Sequence, residues 1–74
     1  MKPYKNLSGN SNIKAFQNYG DGIKIQLTDG SIYLFLYEKT GKVIVDQMQA
    51  LAKEGMGLAG FLATIGTSTA QKLE

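Results

Sequence analysis

Ile23 to Tyr37 reads I-K-I-Q-L-T-D-G-S-I-Y-L-F-L-Y, and the way this stretch turns decides the fold. Asp29-Gly30 between two runs of strand-forming residues is a strong hairpin signal, because a type I′ turn needs φ > 0 at both central residues. A two-residue turn there sets Leu27 opposite Ile32, Ile25 opposite Leu34 and Ile23 opposite Leu36. Side chains alternate along a strand, so this pairing predicts two unlike faces. One carries Ile23, Ile25, Leu27, Ile32, Leu34 and Leu36, all aliphatic, and is expected to be core. The other carries Lys24, Gln26, Thr28, Ser31, Tyr33, Phe35 and Tyr37. On this reading Leu34→Asp puts an unpaired charge into the core and unfolds the chain.

Upstream, Asn12–Tyr19 (N-I-K-A-F-Q-N-Y) is rich enough in strand formers for a first strand. Gly20-Asp21-Gly22 turns it into the central one. A three-residue loop is the preferred reading and sends Ile13, Ala15 and Tyr19 to the aliphatic face, with room for a bulge near Phe16. A two-residue loop sends Phe16 there instead. Residues 1–10, with Pro3 and Ser8-Gly9-Asn10, read as a flexible arm.

Downstream the period changes. Thr40 is placed to cap a helix whose stripe is Ile44, Met48, Leu51 and Ala52, with Gly55 as its stop. A short fourth strand over Lys42–Val45 is the competing reading, from Val43-Ile44-Val45. Leu58, Phe61, Leu62 and Ile65 then repeat as a second helix ended by Gly66. Residues 67–74 form a polar tail, in which Leu73-Glu74 looks like a cloning scar ahead of a purification tag. The expected architecture is α+β: a three-stranded antiparallel β-meander followed by two helices on one face (β-β-β-α-α), a single domain over 11–66.

At this point the order of features resembles the KTSC and KTSC-like domains, named after a C-terminal extension of some lysyl-tRNA synthetases and found also as small bacterial proteins of unknown function. The matching pieces are Ser11-x-Ile13, Ile23-x-Ile25-x-Leu27, Asp29-Gly30-Ser31-x-Tyr33-x-Phe35, Met48-x-x-Leu51-Ala52-x-x-Gly55 and Gly57-Leu58-x-x-Phe61. They span about residues 11–65. Phe35 stands where the family's motif has its second Tyr, and Ala59 where related sequences often carry Asn. The resemblance implies an RNA-binding role.

Composition narrows the chemistry. The 74 residues include no Cys, so no disulfide and no thiolate metal site are expected. No His is present, which removes the commonest metal ligand and the commonest acid–base group near neutrality. Eight Lys against six acidic residues give a formal net charge of +2. The absence of Arg argues against bidentate reading of bases or phosphates. Asp21 and Asp29 belong to turns, while Glu38, Asp46 and Glu54 are expected on solvated faces. Gly55-x-Gly57-x-x-Gly60 fits a dinucleotide fingerprint literally, but follows a helix instead of a strand. The expectation is no catalysis, no cofactor and no metal. With no signal peptide or apolar run approaching the ~18 residues of a membrane span, a cytoplasmic protein is expected.

The aromatic face is the remaining candidate site: Tyr33, Phe35 and Tyr37, with Lys24 and Gln26 across from them. Three neighbouring rings predict an apolar protein contact, most simply a homodimer. The alternative is a weak single-stranded RNA or DNA binder, with the rings stacking on bases and Lys24 neutralising phosphate.

Overall fold

A computed structural model describes all residues from 1 to 74. It is an α+β fold with an antiparallel sheet, but the sheet has five strands where the sequence predicts three. Their order follows the chain: β1 (Lys2–Pro3), β2 (Ile13–Tyr19), β3 (Gly22–Leu27), β4 (Ile32–Leu36) and β5 (Gln71–Lys72). Between β4 and β5 run a single turn α1 (Tyr37–Thr40), the main helix α2 (Lys42–Glu54) and α3 (Leu58–Ile65).

The central hairpin closes differently from the two-residue reading. Leu27 donates its N–H to the Ser31 carbonyl at 2.8 Å, and Gly30 N–H reaches the Leu27 carbonyl at 3.0 Å. Thr28-Asp29-Gly30 is therefore a three-residue loop, a tight turn followed by Gly30 at φ +93°. Asp29 is not at positive φ, which excludes type I′. Its carboxylate instead accepts the Ser31 N–H at 2.9 Å. The extra loop residue moves β4 by one position. Ile23 pairs with Phe35, Lys24 with Leu34, Ile25 with Tyr33 and Gln26 with Ile32.

A one-residue slip exchanges the two faces of a strand. Tyr33 and Phe35 thus join Ile23 and Ile25 on the core side, and Ile32, Leu34 and Leu36 turn to the other side with Lys24 and Gln26. Phe35 is 0% exposed and among the largest fully buried side chains.

The β2–β3 connection also departs from the preferred reading. Tyr19 pairs with Gly22 across a two-residue turn, so Phe16 lies beside Ile25 and points into the core. The register shifts between Ile13 and Ala15. That bulge at Lys14 returns Ile13 to the core side, where it is buried.

The helices cover only this inner face. α2 buries Val45, Met48 and Ala52, with Ile44 and Leu51 at the margins of the stripe. The strand alternative over Lys42–Val45 is excluded. Gly41, not Thr40, stands at its N-terminus and supplies no side-chain cap. Thr40 closes α1 and bonds the Thr69 hydroxyl at 3.0 Å. Gly55 ends α2 at φ +82°, the left-handed stop its position predicts. α3 buries Leu58 and Leu62 against the same core.

Both chain ends are docked: residues 1–10 are not a flexible arm, and the polar tail 67–74 supplies a strand to the sheet. Tyr4 is buried in the core, and its hydroxyl accepts the Leu58 N–H at 3.4 Å, serving the first turn of α3. Leu7 N–H bonds the Gly55 carbonyl at 2.7 Å. At the other end, β5 pairs Gln71 with Leu34 and Lys72 with Tyr33, and Leu73 N–H continues the ladder to the Ile32 carbonyl at 2.8 Å.

Candidate functional site

The five residues expected to share a binding face do not share one. Phe35 is core, and Tyr33 is partly buried against the core from the same side. Tyr37 has left the sheet and opens α1. Lys24 and Gln26 lie on the opposite face from Tyr33 and Phe35. No stacking platform of three rings exists.

What the sheet does present outward is aliphatic. Pairing across the strands sets out three rows: Ala15, Gln26 and Ile32; Gln17, Lys24, Leu34 and Gln71; Tyr19, Gly22 and Leu36. Leu34, Leu36 and Leu73 line a shallow concavity with Tyr19, Lys24 and Asp21. Leu34 and Leu36 also wall a second concavity closed by Lys39 and residues 68–71. Ile32, Leu34 and Leu36 are half-buried, and neither α2 nor α3 packs over them.

Glycine shapes this surface at Gly22. A Cβ there would sit 2.5 Å from the Phe35 carbonyl oxygen and 2.9 Å from Leu36 Cδ2. The missing side chain lets Leu36 lie across β3 toward Tyr19. Lys24 Nζ stands 5.6 Å from the centre of the Tyr19 ring, a cation–π distance. Tyr19 is the one ring on the outer side of β2–β4. The β2–β3 turn is held from behind by Gln49, whose Nε2 donates to the Tyr19 carbonyl at 2.9 Å and the Gly22 carbonyl at 2.7 Å.

Tyr37 instead belongs to a small polar cluster. Its hydroxyl donates to Asp46, and Lys42 Nζ donates to the same carboxylate at 2.7 Å. The Lys42 hydrogen bond first, and the Tyr37 one second, hold the Asp46 carboxyl below the usual range. The bond to Asp46 raises both the Tyr37 phenol and the Lys42 ammonium. The cluster ties α1 to the first turns of α2. No group of three acidic side chains gathers as a metal site would need.

The sequence reading missed Ile32, Leu34, Leu36, Tyr19 and Leu73 as a surface. A signal was present: Ile32 to Leu36 contains no polar residue, so β4 alone does not say which side is core. Lys24 and Gln26 mark the outer side of β3, and whatever stands opposite them in the true register is outer too.

Comparison with protein-family models, with curated proteins and with solved structures gave no match. No helix is long and apolar enough to cross a membrane.

Proposed function

We propose that this protein is a non-enzymatic interaction module that pairs with a second copy of itself through the outer face of its sheet. The single observation that carries the reading is the strip of Ile32, Leu34, Leu36 and Leu73, on the side of the sheet away from α2 and α3. Sheets that bury both faces commonly do so by stacking on another sheet about 10 Å away. A two-fold contact repeats every pairing twice. Lys24 and Asp21 border the same concavity, so one copy's Lys24 can meet the other's Asp21 and the reverse.

Size sets the strength. Three strands of five to seven residues, flanked by two of two residues and all about 4.8 Å apart, give a face of roughly 350 Å² per copy. The pair then buries about 700 Å², below the ~1,200 Å² of stable complexes, so the dimer is weak and depends on concentration. The pieces that resemble KTSC-like domains lie on the elements that build this face and its support. An RNA-binding reading of the same face has less behind it, because Tyr19 is the one ring there for stacking, with Lys24 and Lys39 beside the leucines for phosphate.

Sedimentation across a wide concentration range tests the proposal. The wild type is expected to shift from monomer to dimer in the high micromolar range or above, and Leu34→Asp to stay monomeric while remaining folded. A wild type that is monomeric at millimolar concentration refutes it. So does a dimer that Leu34→Asp leaves intact. Single-stranded RNA that binds this face and is released by salt favours the rival.

A further inference from the structure

A second surface lies away from the sheet's outer face, where β1 meets the end of α2. Lys2, Pro3, Lys5, Phe16, Ala52 and Lys53 line a groove of about 250 Å³ there. Three of the chain's eight lysines thus converge, Lys2 and Lys5 from β1 and the residues after it and Lys53 from the end of α2. None has an ionic partner, since the one salt bridge of the fold joins Lys42 to Asp46. No acidic residue lines the groove.

Part of this charge serves α2. Lys53 sits in its last turn, and the Lys5 stem packs over the Gly55 stop. A helix C-terminus carries about half a negative charge, which offsets only a fraction of three ammonium groups. Phe16 and Ala52 close the floor and are both buried, so the apolar surface open to a ligand is Pro3 and the lysine stems.

We infer that this groove binds an acidic peptide segment, with carboxylates on the lysine rim and an apolar side chain against exposed Pro3 and the lysine stems. The chemistry favours a peptide over nucleic acid for two reasons. Lysine meets a carboxylate well as a point charge, whereas the planar fork that suits phosphate is absent because the chain has no Arg. The one ring in the groove, Phe16, is 5% exposed and offers no face for a base to stack on. Recognition runs through side chains, because β1 is only two residues long and its Pro3 has no N–H to give an added strand.

Nuclear magnetic resonance titration of the full chain with an end-blocked octapeptide alternating Glu and Leu tests this. The expected result is saturable shifts at the amides of Lys2, Lys5, Ala52 and Lys53, lost in 1 M salt, where the screening length is about 3 Å. Each of Lys2→Gln, Lys5→Gln and Lys53→Gln should weaken binding about two- to fivefold, as expected for exposed ion pairs. Lys24→Gln, on the outer face, should leave it unchanged, and so should Leu34→Asp, which separates this site from dimerisation. Equal binding of the Gln–Leu peptide overturns the inference. So does no binding at low salt, or tighter binding of a single-stranded oligonucleotide of equal charge.

Discussion

Phe35 and Leu34 are neighbours in sequence on opposite faces of β4, and a pair of substitutions there reads the register directly. Phe35→Ala empties a site that is 0% exposed among Ile23, Ile25 and Met48. Phe→Ala changes in cores cost about 3–5 kcal/mol. At ~0.05–0.15 kcal/mol per residue, the 74 residues hold about 4–11 kcal/mol in total, so this one change removes from about a quarter of it to all of it. Unfolding entropy of ~2.1 cal/mol/K per residue gives about 155 cal/mol/K for 74 residues, or about 6 °C per kcal/mol. Phe35→Ala should therefore lower Tm by about 20–30 °C. Leu34→Asp replaces a half-buried side chain on an uncovered face, where strand preference spans ~1 kcal/mol, and should lower Tm by about 6 °C or less. Circular dichroism melts at low micromolar concentration, where association does not contribute, give both numbers. If Leu34→Asp unfolds the protein and Phe35→Ala melts near the wild type, the hairpin has the two-residue turn and the face assignment is wrong.

Further outcomes follow from particular contacts. Gly22→Ala drives a methyl into the Phe35 carbonyl and should cost about 1–3 kcal/mol, whereas Gly60→Ala, in α3 with open space around it, should raise stability by about 0.5–1 kcal/mol; chemical denaturation measures both. Gln49→Ala leaves the Tyr19 and Gly22 carbonyls without their donor and should cost about 1–3 kcal/mol, with faster amide exchange at the β2–β3 turn. The Asp46 carboxyl is held below 3.8 in the fold, so its contribution is complete above about pH 4 and is lost as pH falls through the lowered value. Tyr37 and Lys42 are raised above 10.0 and 10.5, so theirs is complete below about pH 10 and is lost as pH rises through the raised values. The Tm difference between wild type and Asp46→Asn should accordingly be largest at mid-range pH and shrink toward both extremes; a difference independent of pH would falsify the linkage.

The helices were legible because their signals are local. Gly55 and Gly66 end α2 and α3 where the stripes stop, and Met48, Ala52, Leu58 and Leu62 face the core as their spacing predicts. The stripe of α2 is rotated only slightly, toward Val45. The sheet was less legible for a physical reason. Asp29-Gly30 suits both a two-residue turn and a three-residue loop with glycine last, and the choice between them inverts β4. A strand with polar residues on one side would have settled that choice, but Ile32-Tyr33-Leu34-Phe35-Leu36 is apolar throughout. The candidate site inherited the inversion: its lysine and glutamine were placed on the outer side, its rings on the wrong one. Tyr4 and β5 were hidden differently. Their partners, Leu58 and Leu34, lie 54 and 37 residues away, beyond any local pattern.

β1 and β5 form the two opposite edges of the sheet, each only two residues long. A pull on the two ends of the chain therefore acts across the strands, not along them. Such a load falls on one backbone hydrogen bond at a time, each worth about 1 kcal/mol net, so the edges peel before the core responds. Tension that detached β5 would bare the unbroken apolar edge of β4, a ready template for another strand. The same geometry makes the domain mechanically soft at its ends and stiff at its centre, and stretching would turn a sheet with short, blunted edges into an adhesive one.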